Sequence, residues 1–341
     1  MTLEEIRSLV QADLHAVDHV IRARLKSAVP LVDQVAEHII AGGGKRLRPL
    51  MVVLTARACG HEGSAHIEAA AFIEFIHTAT LLHDDVVDGS SLRRGRHTAN
   101  QIFGNQASVL VGDFVYSRAF QMMAGLASQP IMEIMALATN VIAEGEVLQL
   151  MNARDPDTTE QRYLEVIYRK TAKLFEAGAE VAAVLAGVTP ELRHGLASYG
   201  RHLGTAYQLV DDVLDYRSNP SERGKNLGDD LAEGKPTLPL IHALRNGNES
   251  QREAIRDIPT LILWGMQDKF IRLDALDRWL GVFSDFQMVR YQNAGHFLPE
   301  ECPNLLTPQI DAFLHGRQVE FDPSTAEDER LPVGRRAVIL E

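Results

Sequence analysis

Six carboxylates in two copies of one pattern carry the chemistry of this chain: Asp84-Asp85-Val86-Val87-Asp88 and Asp211-Asp212-Val213-Leu214-Asp215. Each pattern closes an apolar run with helical periodicity. On a helix, the first and last aspartates of a cluster stand one turn apart on one face, with the middle one beside them. Like charges so placed cost an isolated helix roughly 0.2–0.5 kcal/mol, and burying them unpaired costs several kcal/mol per ion. A fold has no structural use for that arrangement twice. A hard divalent cation does, because Mg²⁺ takes a few carboxylates and completes its octahedron with water and substrate phosphate oxygens. A single cluster of this kind reads as solvated surface charge, or as favourable charge at a helix N-terminus. Repetition, with basic residues after each copy, shifts the reading to facing helices that hold a diphosphate through bridging metal ions.

The cations supply the other half of such a site. Arg93 and Arg94 follow the first cluster in Leu92-Arg93-Arg94-Gly95, and guanidinium forks suit phosphate oxygens. Near the N-terminus, Gly42-Gly43-Gly44-Lys45-Arg46-Leu47-Arg48-Pro49 joins a turn to three cations, with glycines that let backbone N–H groups approach an anion. It is not a Walker A loop, which would need Gly at Ile39 and Ser or Thr at Arg46. Lys225 and Lys235 stand after the second cluster in Gly-flanked segments, placed to reach a metal-bound diphosphate. Taken alone, each of these is an ordinary surface cation.

Helical periodicity predicts the elements that position these groups, over 3–25, 30–41, 50–58, 67–88, 107–126, 131–151, 159–186 and 192–216. The fold class expected is all-α. His77 lies seven residues before Asp84 and Gln208 four before Asp212, so each pair shares a helix face.

These motifs carry a family resemblance. Gly-Gly-Lys-Arg-Leu-Arg-Pro (43–49), Phe75-Ile76-His77 through His83-Asp84-Asp85, Leu92-Arg93-Arg94-Gly95, Gly112-Asp113-Phe114, Glu144-Gly145-Glu146, Lys170-Thr171-Ala172, Gln208 through Asp212 and Gly224 through Leu240 occur in order. Residues 1–250 thereby resemble the long-chain trans-polyprenyl diphosphate synthases of the octaprenyl/decaprenyl type, which have an isoprenoid-synthase helical bundle. The resemblance implies head-to-tail prenyl transfer for isoprenoid biosynthesis, such as ubiquinone side chains. Asp84, Asp85, Asp88, Asp211, Asp212 and Asp215 would hold Mg²⁺ that bridges an allylic diphosphate, farnesyl or similar. Arg93, Lys170, Lys225 and Lys235 would grip that diphosphate, and Thr171 and Gln208 would offer dipoles near the carbocation. Isopentenyl diphosphate would sit on Lys45, Arg48, His77 and Arg94. Ala79 and Thr80, one turn before Asp84, would flank the growing chain and leave room for a long product. A homodimer through helices around 107–151 is implied, with transient membrane proximity for release of a greasy product. Singly, His77 reads as a hydrogen-bonded core histidine, Gln208 as a polar cap and Thr171 as a back-bonded helix threonine.

After about residue 250 the pattern changes. Residues 258–265 and 287–291 read as buried strands, and 273–280 and 304–314 as helices. Trp264-Gly265-Met266-Gln267-Asp268 and Asn293-Ala294-Gly295-His296-Phe297 resemble the acid and histidine loops at the C-terminal end of an α/β-hydrolase, in the expected order. No Gly-x-Ser-x-Gly elbow precedes them, so Asp268 and His296 have no nucleophile to activate. Residues 258–315 therefore read as an α/β fragment where the family continues in helices, and 316–341 as a polar, disordered tail.

With 34 basic and 46 acidic residues the formal charge is −12, which argues against nucleic-acid binding and for metal-bridged anions. Only Cys59 and Cys302 occur, too few for a disulfide framework. No signal peptide or long apolar span is visible, so a cytoplasmic enzyme is expected. Three functions compete: an active polyprenyl diphosphate synthase, a catalytically impaired or non-catalytic synthase-like subunit with an altered C-terminus, and, third, a hydrolase. A class I terpene cyclase would carry a different second motif.

Overall fold

The computed structural model describes residues 2–153, 155, 157–217, 230, 234–251, 260–269, 286–295 and 298–317. Lys225, His296, the helix expected over 273–280 and nearly all of the tail expected over 316–341 lie outside the described residues. The chain divides into two compact units, Met1–Val147 with Leu164–Asp229, and Leu148–Tyr163 with Asp230–Glu341.

The helical elements run α1 Leu3–Ser8, α2 Gln11–Arg24, α3 Pro30–Ala41, α4 Leu47–Ala58, α5 Ala65–Val87, α6 Ala99–Phe103, α7 Asn105–Gly125 and α8 Gln129–Asn152. Then come α9 Glu160–Ile167, a π-helical turn Tyr168–Ala172, α10 Lys173–Leu185 and α11 Pro190–Arg217. The fold class is the helical one expected. Helix α5 is the axis of the first unit. Phe72, Ile73, Phe75, Ile76 and Ala69 to Ala71 are all buried, so it is apolar nearly all round, as a central helix must be. Helices α2, α4, α7 and α10 pack around it. The Asp clusters thus end two long helices anchored in the core rather than a surface loop.

Two expected helices are divided. The run read as 3–25 breaks after Ser8, and the run read as 159–186 is interrupted by the π turn. A short hairpin, β1 Leu92–Arg93 and β2 Arg96–His97, follows α5. Its two-residue turn, Arg94-Gly95, has φ of 54° and 74°, the two positive values a type I′ turn requires.

In the second unit, α12 Leu238–Asn246 starts with Pro239 in its first turn. Strands β3 Thr260–Gly265 and β4 Phe286–Tyr291 pair in parallel, Thr260 against Phe286 through Gly265 against Tyr291. Helices α13 Leu298–Glu301 and α14 Pro303–Leu314 follow. Side chains alternate between faces with period two. Trp264 and Met288 pack with Ile262 and Ala153 on one face, while Val289, Tyr291 and Leu306 pack with Leu261 and Leu263 on the other. Both expected strands and the 304–314 helix are therefore present.

Candidate active site

Both Asp clusters stand at helix C-terminal ends. The first closes α5, with Asp88 as its C-cap, and the second lies in the last turns of α11. The helix dipole disfavours negative charge there, typically by 0.3–1 kcal/mol at exposed positions. The reading of either cluster as favourable N-terminal charge is thereby removed, and nearby cations must offset the cost.

At the first cluster that cation is Arg93. Asp85 is 4% exposed, and its Oδ1 accepts from Arg93 Nε at 2.8 Å and lies 2.6 Å from Nη2. Burial alone would lower the Arg93 pKa. The bond and charge of Asp85, with Asp84 and Asp88 beyond, hold it above the ordinary arginine value. The hairpin that carries Arg93 is tied down in turn, because Asn100 Nδ2 donates to the Asp85 carbonyl at 3.1 Å and Thr98 Oγ1 to the Ser90 carbonyl at 2.7 Å.

The π turn connects the two clusters. Lys170 Nζ lies 3.6 Å from Asp84 Oδ2 and 2.5 Å from Glu146 Oε2. Its neighbour Thr171 donates to Gln208 Oε1 at 2.8 Å, and Gln208 Nε2 donates to Asp212 Oδ1 at 2.7 Å. Consecutive residues of one turn therefore reach Asp84 directly and Asp212 through one amide. A π bulge widens the helix by one residue and is frequent at functional sites. Here α8 lies against it: a Cβ at Gly145 would sit 2.7 Å from Arg169 Cβ and 2.9 Å from the Lys170 amide nitrogen. Only glycine fits that approach, and it brings Glu146 beside Lys170. Burial pushes the Glu146 carboxyl up to about 7 against the pull of Lys170, and the charges of Asp84 and Asp88 add to the rise. Asp212 and Asp215 are buried, with 4% and 1% exposure.

A second group of cations surrounds His77. Arg48 stacks over the Phe175 ring at 4.6 Å, and its Nε is buried without a hydrogen-bond partner among the described residues. Burial lowers the Arg48 pKa. Arg94 donates to the Gly43 carbonyl, and a Cβ at Gly44 would lie 2.8 Å from the Arg94 Nη1. Arg46, in left-handed conformation, pairs with buried Glu74 and lies 3.6 Å from Asp18. Burial, then the charges of Arg48, Arg94, Arg93 and Arg46, drive the His77 pKa well below the usual imidazole value. A neutral imidazole among guanidiniums can donate a hydrogen bond to an anion without adding to the repulsion between the cations.

The structure brings Asp84, Asp85, Arg93, Lys170, Thr171, Gln208 and Asp212 into one chain of contacts, and groups Arg48 and Arg94 by charge around His77. Asp88 acts on Arg93 and Glu146 through its charge, while Asp211 and Asp215 share the end of α11. Lys45 is exposed, and its carbonyl accepts from Arg7 at 3.1 Å. Lys235 belongs to the second unit, where its N–H donates to the Asp230 carbonyl at 2.8 Å. Sequence reasoning includes Glu146 in the motif Glu144-Gly145-Glu146 without giving it a role, and misses the Arg46–Glu74 pair.

Among the described residues, no three His, Cys, Asp or Glu side chains converge into a ready-made metal cage. The donor set, all oxygen, fits a hard cation.

The family model for polyprenyl synthetase matches residues 29–260, and the chain belongs to that family of prenyltransferases. Octaprenyl diphosphate synthase of Escherichia coli (strain K12) is 59% identical over 256 residues, covering 75% of this chain and 79% of the relative. The protein of the same name from Haemophilus influenzae is 60% identical over 257 residues, covering 75% and 78%. Among solved structures, a Caulobacter crescentus CB15 polyprenyl synthase complexed with calcium and isoprenyl diphosphate superposes with TM-score 0.71 at 49% identity, covering 73% of this chain and 76% of that one. The hydrolase resemblance of 258–315 is not supported by these matches. Paired parallel strands recur on many unrelated folds, so the pattern alone carries no activity.

Proposed function

We propose that this chain condenses an allylic diphosphate, farnesyl or similar, with isopentenyl diphosphate to an octaprenyl-to-decaprenyl diphosphate for quinone side chains. The observation that carries the reading is the π turn whose adjacent Lys170 and Thr171 reach Asp84 and, through Gln208, Asp212. Asp84, Asp85, Asp88, Asp211, Asp212 and Asp215 offer carboxylates for Mg²⁺ ions, which when bound supply charge that stabilises a departing pyrophosphate. Lys170 and Arg93 grip the allylic diphosphate, with Lys225 and Lys235 assigned to the same role by motif. The allylic C–O bond breaks, and its electron pair leaves on pyrophosphate. Thr171 and Gln208, locked by their mutual hydrogen bond, present fixed dipoles to the resulting carbocation. Isopentenyl diphosphate sits on Arg48, Arg94, neutral His77 and Lys45; its double bond attacks the cation, and a proton passes to pyrophosphate.

Leu110 on α7 and Leu137 and Val147 on α8 are exposed apolar side chains within 107–151, which supports a homodimer through those helices. No helix among the described residues is long and apolar enough to cross a membrane, and the product would meet one only on release. A second reading, a synthase weakened by its C-terminal region from about residue 258, draws on one observation: β3 and β4 form only a two-stranded sheet among the described residues, marginal by itself. Incubation with Mg²⁺, farnesyl diphosphate and labelled isopentenyl diphosphate, with products resolved by length, decides between them. Octaprenyl to decaprenyl products support the first reading; a folded protein without product supports the second.

A further inference from the structure

Within the reading just proposed, one carboxylate has no assigned role although it bonds a lysine of the site directly. Glu146 Oε2 accepts from Lys170 Nζ at 2.5 Å, and the same ammonium lies 3.6 Å from Asp84 Oδ2. The Lys170 side chain is 23% exposed and that of Glu146 31%, so the pair sits at the mouth of the site rather than in bulk solvent. A lysine ammonium is a point charge on a flexible four-carbon stem, and its aim at a diphosphate improves when a partner restricts that stem. Glu146 is well placed to hold it, because the close approach at Gly145 fixes its backbone against the amide of Lys170 itself. Without Glu146, Asp84 still stands 3.6 Å from the ammonium, and a tightened Lys170–Asp84 pair would occupy both an oxygen that a metal needs and a cation that the diphosphate needs.

A purely structural role is already filled by the adjacent glutamate. Glu144 pairs with Arg169 at 2.6 Å, Arg169 pairs with Glu165 at 2.9 Å, and this exposed set ties α8 to the start of the π turn. Glu146 is therefore not required for that tie.

We propose that Glu146 is a positioning residue: it holds the Lys170 ammonium off Asp84 and aims it at the allylic diphosphate, and so sets affinity for the allylic substrate and not for isopentenyl diphosphate. The two substrates make the effect separable, since the cations around His77 lie on other elements and make no contact with Glu146 in the bonds described above.

The test is calorimetric titration of farnesyl diphosphate in Mg²⁺, without the second substrate so that no turnover occurs, on wild type, Glu146→Ala, Glu146→Gln, Glu144→Gln, Lys170→Ala and the Glu146→Ala/Lys170→Ala double variant. Glu146→Ala should weaken Kd about tenfold. Glu146→Gln, which keeps the acceptor but not the charge, should recover part of that, and Glu144→Gln should match wild type. In the Lys170→Ala background, Glu146→Ala should add nothing, because the two residues act as one unit. Steady-state KM for isopentenyl diphosphate should stay within twofold throughout. Additive losses in the double variant, equal shifts for both substrates, or wild-type affinity in Glu146→Ala would each overturn the proposal. Thermal midpoints identify a variant that fails to fold, and the isosteric Glu146→Gln then carries the comparison. Wild-type protein that binds farnesyl diphosphate without turning over would refute the proposed condensation, while the Kd series would still decide the role of Glu146; failure to bind at all would refute both.

Discussion

The aspartates of one cluster should differ sharply in what they do for stability. Asp85 is 4% exposed and its single oxygen Oδ1 takes both Nε and Nη2 of Arg93. Asp85→Ala leaves that guanidinium in a site three-quarters closed, since its side chain is 25% exposed. Removing one partner of a buried ion pair costs about 3–5 kcal/mol. Residual exposure and the nearby charges of Asp84 and Asp88 soften this, and about 2–3 kcal/mol is expected. That is a large part of the roughly 5–15 kcal/mol that holds a typical protein together. Asp84→Ala should behave otherwise. Its partner Lys170, 3.6 Å away, keeps Glu146, and the helix end loses an unfavourable charge, so stability should move by less than about 1 kcal/mol. Urea denaturation of the two variants and of Asp85→Leu/Arg93→Met measures the contrast, with the double variant expected to regain most of the loss because both charges leave together. If Asp85→Ala proves no less stable than Asp84→Ala, the Asp85–Arg93 pair is not what holds the hairpin.

Other outcomes follow from the same geometry. His77 titrates well below its usual value in the folded state, so the unfolded chain binds its proton first. Stability from neutral His77 is complete above about pH 6.5 and is lost as pH falls, by up to about 1.4 kcal/mol per unit; His77→Gln should show a shallower decline in urea midpoint between pH 7.5 and 5.5, and parallel curves would contradict this. Ala79 is fully buried in the core, so Ala79→Phe should cost about 1–3 kcal/mol by overpacking, seen as a lowered thermal midpoint. Thr80, half-buried one turn before Asp84, becomes the sharper length probe: Thr80→Phe should shorten the products, and an unchanged ladder would place the growing chain elsewhere. Asp268→Asn and His296→Ala should leave condensation intact with no esterase activity in any form; esterase turnover lost on either substitution would make the C-terminal region functional.

Much of the site is legible without coordinates because two of its parts are local. The spacing within Asp84–Asp88 and Asp211–Asp215 determines their common faces, and the apolar periodicity of α5 and α11 places each cluster at a helix end. Gln208 and Asp212, four apart, are legible for the same reason, and they do hydrogen-bond. What escapes is set by packing between distant segments. Nothing in Tyr168-Arg169-Lys170-Thr171-Ala172 disfavours an ordinary helix; the π turn depends on tertiary contacts, including the approach at Gly145. Glu146 gains its place through that same approach, 24 residues from Lys170 in sequence. The hairpin after α5 is too short for a periodic signal, although Arg94-Gly95 satisfies its turn. The exposure of Lys45 on its loop is likewise not legible, because residue type and neighbouring glycines say nothing about where a long side chain points.

If the two Asp clusters work as one site, single-turnover condensation with farnesyl diphosphate, labelled isopentenyl diphosphate and Mg²⁺ should fail alike in Asp84→Ala and Asp211→Ala. Each substitution should cut the rate by about 10²–10³, the scale of losing one preorganised electrostatic contact to a developing charge. Thermal midpoints should stay near wild type, and excess chelator should abolish turnover in the unaltered protein. Wild-type rates in either variant, or full activity in chelator, would contradict the account.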